Sequence, residues 1–559
     1  MGFSLLSRRK SMKNVISRLR LLKADDSRNF LAISLLFALA VVIRAISSGF
    51  EYLPILDDSI QYINYQLNGD SLGIIKAQGL FSSRPLAAVV DLFFVGKMNG
   101  CLLAPVILFS AMHGIAGALF MRLFKKIWGT GIAFAVVYSL LPLGVEGTYW
   151  LSASSRIVFG LFFAAVAANI LEDYIDKGKW WRIVLFSFTA LLSYGFYEQI
   201  LVVSFTLSIL QFLRRVRTNK RAFVGLLSLP LAAVYFLFTS LNASDSALGS
   251  RISIALPTSR WYFDTFLPDI LGQIKTAFVD GTLMTLFKGF VRGINGCFED
   301  FGGIVFLALA LAVGAAIYFI ASSKKKLEKP SVGAFVWGLL LFLAPITPFL
   351  IIGNPWFSLR ATVPSFIGMA LIFDSLLRLI LRRERIYAAV CAVLVTVFMI
   401  AGASEVRDYH TVGEYDSVLA QKLLDVSEEM SGRVGILGLE EHTLENENFT
   451  YHEHIGSVGG SDWALKGKLT SINPDWGGFT PVPLGSEGDY FYKAWNRDTK
   501  RISGFDELWL WDDATLTFTK MKTVKLSSGE HDFEILFENG TPWGRVTEDG
   551  TNGYIEIYE

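Results

Sequence analysis

Long apolar runs, separated by basic clusters or short polar turns, dominate the chain from residue 29 to residue 403. A helix needs about 20 apolar residues to cross a membrane's hydrocarbon. By that ruler the pattern predicts about eleven spans: 29–48, 102–122, 129–145, 155–171, 182–197, 199–213, 222–241, 302–322, 332–352, 361–380 and 385–403. The stretch 84–96, "RPLAAVVDLFFVG", is too short for a span and carries Asp91, so it reads as an interfacial or re-entrant helix. Within 242–301, apolar residues recur at helical spacing with Asp269, Lys275, Lys288 and Arg292 between them. That pattern predicts amphipathic helices lying on the membrane surface. Beyond 403 the pattern changes again. A polar helix at about 412–430 leads into "RVGILGLE", "ELWLWDD", "TLTFTKMKTV", "HDFEILFEN" and "YIEIYE", short strands separated by Gly and Asn turns. The predicted class is an α-helical polytopic membrane protein with a C-terminal α+β or mostly β domain over 404–559.

Charge sets the orientation. Cytoplasmic loops carry an excess of Lys and Arg. With a cytoplasmic basic N-terminus (1–28), the inward connections are 122–126, 176–182, 214–221, 322–329 and 377–385, and every one is basic. The membrane module 29–403 then turns its loops 49–101, 146–154, 242–301 and 353–360 outward, together with the tight turn near 198 and the C-terminal domain, which is extracytoplasmic. The chain is expected to be an integral membrane protein with a cytoplasmic N-terminus.

Composition agrees. Of 559 residues, 52% are hydrophobic and 18% charged, below the ~25% charged of soluble domains. Net charge is +1, which makes no case for nucleic acid as a partner. Cys101, Cys297 and Cys391 match neither a disulfide framework nor a metal-ligand spacing, and "HEH" at 452–454 reads as a solvated loop. The N-terminal segment is too long and too basic for a cleavable signal peptide, and the run after it is long enough to span. Three sequons (Asn242, Asn448, Asn539) decide nothing.

The outward loops collect the candidate chemistry: Asp57, Asp58, Gln61, Arg84, Asp91, Glu146, Tyr149, Trp150, Arg156, Tyr197, Glu198, Gln199, Arg251, Arg260, Trp261, Trp356 and Arg360. Ionisable groups at membrane depth are costly, so each needs a partner or a job. Group transfer from a lipid phosphate suits such a set. Arg84, Arg156 and Arg360 are candidate phosphate ligands, since guanidinium forks match phosphate oxygens. A carboxylate can take a proton from an attacking hydroxyl, and Trp150 and Tyr197 can stack on sugar. Glu146, Glu198 and Gln199 join them as candidate substrate contacts. Two adjacent acids repel unless an arginine or a divalent cation lies between them, so Asp57 and Asp58 are also the candidate metal ligands. Each residue has a plainer reading as well: Asp as a helix cap, Arg156 and Trp150 as interface anchors, and most tryptophans of the outer domain as core.

One basic N-terminus, one span and an outer loop opening with "LDDSIQY", followed by "SRPL" and "YEQ", resembles the GT-C superfamily of membrane glycosyltransferases. Bacterial O-antigen glucosyltransferases and mycobacterial arabinosyltransferases are the comparisons. The resemblance implies a GT-C-like fold over about 25–403, a polyprenyl-phosphate sugar donor and a place in a bacterial inner or plasma membrane. It implies Asp57 as base, with Asp58 beside it orienting acceptor or metal. No "WWDYG"-like tract occurs, which speaks against transfer to protein asparagine, and no Gly-rich nucleotide loop occurs, which speaks against a nucleotide-sugar donor. The expected function is inverting transfer of a sugar to a surface glycan or lipid-linked acceptor on the extracytoplasmic side, in contact with membrane lipid. The alternatives are a transporter or flippase of lipid-linked sugars, a glycan polymerase or ligase, or a non-catalytic assembly or sensor protein.

Overall fold

The computed structural model describes residues 26–62, 84–95, 98, 101–241, 255–322, 326–353, 355–439, 444, 456–483, 491–493, 499–501, 505–521, 523–528, 531–538 and 541–542. The basic segment before residue 26, Arg251, the 452–454 stretch, the three sequons, Trp495, Trp543 and the last expected strand lie outside them, as does the side chain of Gln61.

In chain order the helices are α1 (Asp26–Ala45), α2 (Asp57–Tyr62), α3 (Pro85–Val90), α4 (Leu103–Trp128), α5 (Ala133–Leu140), α6 (Val145–Thr148), α7 (Leu151–Lys177), α8 (Trp181–Tyr194), α9 (Glu198–Arg215), α10 (Ser228–Leu241), α11 (Leu267–Lys275), α12 (Gly289–Gly296), α13 (Phe301–Ala321), α14 (Val332–Leu343), α15 (Phe366–Ile380), α16 (Glu384–Asp425) and α17 (Asp462–Ile472). Among the described residues, seven helical stretches are long and apolar enough to cross a membrane, and Asn29–Ala45 and Trp181–Tyr194 are shorter apolar helices. The expected segment 129–145 holds only the eight residues of α5 before Leu141 and Pro142 interrupt it. Eight residues rise ~12 Å, and the 3₁₀ turn Pro142–Gly144 and α6 carry the chain on from there to Trp150.

Helices approach closely where glycine permits it. A Cβ on Gly368 of α15 would stand 2.1 Å from the Phe342 backbone nitrogen on α14, and one on Gly114 of α4 would meet the α1 backbone at 2.8 Å.

The basic connections gather at one end of the bundle. Lys126 and Arg215 both pair with Asp176, at 2.6 and 3.0 Å, and Arg214 lies over the Trp128 ring. Arg378 donates to the Glu328 carbonyl, and the Leu327 amide donates to the Arg382 carbonyl. At the opposite end α3 meets the α8–α9 turn, where the Leu86 amide donates to the Gly195 carbonyl at 2.9 Å.

Residues 260–296 are helical, with the buried stripe held on one side by π turns. The buried stripe is Tyr262, Phe266, Ile270, Gln273, Ala277, Gly281, Thr285 and Gly289, almost all four residues apart. A regular α-helix would rotate such a stripe away from its partner. The wider π turns at Tyr262–Phe266, Thr276–Asp280 and Leu283–Lys288 hold it in line. The other face is mixed: Phe263, Leu271, Val279, Leu283, Phe287 and Val291 are exposed, and so are Asp264, Asp269, Lys275 and Lys288.

Two further differences concern the C-terminal part. The polar helix expected to begin near 412 is the continuation of the last apolar run, one unbroken α16 of 42 residues. The domain beyond it is α+β. Strands β1 (Gly432–Leu437), β2 (Phe479–Pro483), β3 (Phe491–Lys493), β4 (Thr499–Arg501), β5 (Glu507–Asp512), β6 (Thr517–Lys520), β7 (Thr523–Ser528), β8 (His531–Glu538) and β9 (Thr541–Pro542) include a mixed sheet ordered β2-β1-β5-β6. β1 pairs in parallel with β2 and β5, and α17 is the crossover between β1 and β2. Trp509 and Trp511 are core and Trp463 and Trp476 pack against it, as the plainer reading of the tryptophans expects.

The glycine packing is testable. Gly368→Ala should cost about 1–3 kcal/mol by overpacking. Gly272→Ala, with nothing within 4 Å of the added carbon, should stabilise by about 0.4–1 kcal/mol. Thermal unfolding of the two variants in one detergent checks both signs.

Candidate functional site

Helix α7 begins without a cap of its own. Trp150 stands at its N-cap position with non-helical backbone, and its side chain makes no capping bond. The first N–H groups of a helix have no partner within it. Here they are met by the segment before α2. The Leu151 amide donates to the Tyr52 hydroxyl oxygen at 2.9 Å, and the Ser152 amide donates to Asp58 Oδ1 at 2.8 Å. Ser152 Oγ donates to the same oxygen at 2.6 Å, and the Tyr52 hydroxyl donates to Asp58 Oδ2. Asp58 is fully buried, and burial pushes its carboxyl up to about 6. Its neighbour Asp57 is half-buried at the start of α2.

Around this lock stand the arginines. Arg84, at the N-cap of α3, directs Nε to both carboxylate oxygens of Glu198 at 3.3 Å and lies 4.3 Å from the Tyr197 ring centre. Glu198 opens α9 directly after the extended Tyr197, so its charge sits at the positive end of that helix. Arg156, one turn into α7, donates to the Ser152 carbonyl and, at 3.3 Å, to Asp91. The Arg360 amide donates to Glu146 Oε1 at 3.3 Å while its guanidinium lies 5.2 Å over the Trp150 ring. Gln199 is buried and donates to the Pro345 and Ala361 carbonyls at 2.9 Å, tying together two proline-containing turns. Asp91 lies within electrostatic reach of Arg156, Asp57 and Arg84, and Arg84 within reach of Arg360.

The structure therefore brings the ten candidate residues into one neighbourhood, at the end opposite the basic connections. Six are half-buried: Asp57, Arg84, Arg156, Tyr197, Glu198 and Arg360. Four form the wall behind them: Asp58, Glu146, Trp150 and Gln199 are each no more than 2% exposed. Arg260, Trp261 and Trp356 are exposed instead, on chain packed near 350.

One expectation changes in character. Asp58, expected to orient acceptor or metal, spends its carboxylate on the backbone and hydroxyl of Ser152 and on Tyr52. Asp57 is the member of the pair left facing outward. Among the described residues no group of three His, Cys, Asp or Glu side chains is placed to hold a metal. Tyr52 and Ser152 were not among the candidates. Neither has a local signature, because Ser152 and Asp58 lie 94 residues apart in sequence.

No protein-family model matches the chain, and no curated protein matches it.

The raised Asp58 carboxyl has a sign. A carboxyl raised from 3.8 to about 6 in the folded state contributes stability that is full below 3.8 and lost as pH rises through about 6. Asn at this position does not titrate. The melting temperature of wild type minus that of Asp58→Asn should therefore fall between about pH 4.5 and pH 7.5. A constant difference would show an ordinary carboxyl at Asp58.

Proposed function

We propose that this chain is a membrane-embedded glycosyltransferase of the GT-C type. It would transfer a sugar from a polyprenyl-phosphate donor to a glycan or lipid-linked acceptor on the extracytoplasmic side of a bacterial inner membrane. The observation that carries the reading is the half-buried Asp57 in one charged neighbourhood with Arg84, Arg156 and Arg360, linked through Asp91 and Arg84, two of the arginines lying on aromatic faces, at the end of the helical bundle away from its basic loops. The eleven-span topology with a cytoplasmic N-terminus is part of the proposal. The clustering of the five basic connections at one end and the acidic loop at the other supports it.

The chemistry is a direct displacement. Asp57 takes the proton of the acceptor hydroxyl as that oxygen bonds to the anomeric carbon from the face opposite the phosphate. The carbon–oxygen bond to the phosphate breaks, and the polyprenyl phosphate leaves with the electron pair, so the configuration inverts. Arg84, Arg156 and Arg360 stabilise the charge that grows on the departing phosphate. Trp150 and Tyr197 already carry guanidinium groups on their rings, so each aromatic orients an arginine. Arg84 is held by Glu198, and Arg156 by Asp91. An arriving phosphate competes with these carboxylates, which keep the guanidinium groups in place until donor binds.

Turnover by the purified chain in nanodiscs, with a panel of polyprenyl-phosphate sugars, tests the reading. Asp57→Asn should lower release of polyprenyl phosphate by about 10²–10⁴-fold, the usual contribution of a general base. Binding of several donors without turnover by wild type would sink the transferase and turn attention to flipping assays.

A second outcome concerns Glu198. If it acts as a stand-in for phosphate on Arg84, Glu198→Gln lowers the KM for donor. If it binds the sugar, the KM rises. A donor titration of the two proteins decides.

A further inference from the structure

The loop that bears Asp57 is held from two sides. One is the α7 lock. The other is the C-terminal domain, whose α17 packs against α2. Lys468 of α17 is 3% exposed, and its ammonium donates to the Pro54 carbonyl at 3.4 Å. Its acidic neighbours are Asp416 on α16 and Asp58 itself, both fully buried. Asp416 accepts from Ser457 Oγ at 2.6 Å and from the Val458 amide at 3.1 Å, while its second oxygen makes no hydrogen bond. Lys468 is thus the buried cation between two buried carboxylates that belong to different parts of the molecule.

The backbone bears the mark of this clamp. Leu56, directly before the acidic pair, has φ +40°, a region that non-glycine residues seldom occupy. Such a conformation is strained for a residue with a side chain and persists where surroundings over-determine it. The surroundings are visible. The Leu56 side chain packs against the core around Trp150 and also against the core of the C-terminal domain. Leu53 lies against α16 where only a glycine fits, since a Cβ on Gly413 would stand 2.4 Å from the Leu53 Cβ.

We propose that Lys468 is a positioning residue, through which the C-terminal domain fixes the loop carrying Asp57 and so completes the site. The domain is then a structural half of the site, not a module appended to it. The consequence for transfer rests on the function proposed above. The clamp itself does not, and can be measured without substrate.

The measurement is amide hydrogen exchange on the full chain in detergent, for wild type, Lys468→Met and Lys468→Arg. The informative amides are Asp58, Ser59, Leu151 and Ser152, each bonded within the lock. In Lys468→Met they should exchange about tenfold faster, as expected when one partner of a buried charge-assisted contact is lost and a local opening becomes easier. The amides of β1 should keep their wild-type rates, and Lys468→Arg should restore the lock. Unchanged exchange at the four amides in Lys468→Met overturns the proposal. Faster exchange throughout β1 also overturns it, since Lys468 would then serve only the fold of its own domain. If wild type turns over donor, the same Met variant should lower kcat at least tenfold with the KM for donor held within about twofold. A rise in KM alone would overturn the positioning role while leaving the transferase reading intact.

Discussion

An uncapped helix end governs the architecture of the bundle's end away from the basic connections. Two N–H groups of α7 have no partner in their own helix, and leaving them buried and unpaired would cost ~1–3 kcal/mol each. Tyr52 and Asp58 supply the missing acceptors, and in doing so they bring the segment after the first helix onto the helix that carries Arg156. Everything else at this end builds on that join. Arg156 reaches Asp91, which draws in α3; Arg84 at the head of α3 reaches Glu198, which draws in α9. The order of contacts is a chain of charge pairs that starts from a hydrogen-bonded cap.

This arrangement divides two adjacent acids that look alike in sequence. Successive residues in the first turn of a short helix point about 100° apart, so one can enter the wall while the other faces the charged rim. Asp58 is buried against three donors. Asp57 stays half-exposed at the rim. Two neighbouring carboxylates are thus set in different surroundings, one inside the hydrogen-bonded cap and one outside it.

Much of this was legible beforehand. The apolar runs located the helices, and the position of "LDDSIQY", "SRPL", "VEGTYW", "YEQ" and "SLR" relative to those runs picked out residues that do come together. What could not be read was pairing at a distance. Tyr52 accepts from the Leu151 amide 99 residues on, and Lys468 reaches the Pro54 carbonyl 414 residues back; an isolated tyrosine or lysine carries no sign of such a partner. The join at 403 was missed for a different reason. Composition changes there from apolar to polar, but the buried positions Tyr409, Val412, Asp416, Leu419, Ala420 and Leu423 continue at helical spacing, so the helix continues too. In the stretch 255–296 the apolar spacing was read correctly as helical, yet its four-residue repeat, which calls for π turns, was not separated from the ordinary helical one.

The unbroken α16 has a mechanical meaning. A rod of 42 residues is ~63 Å long, and it enters the C-terminal domain with no break in the helix. A globular domain on a loop samples many heights and tilts. One welded to a rigid post stands at a single elevation above the lipid, and any lateral load on it is transmitted as torque into the helices packed around the base of the post.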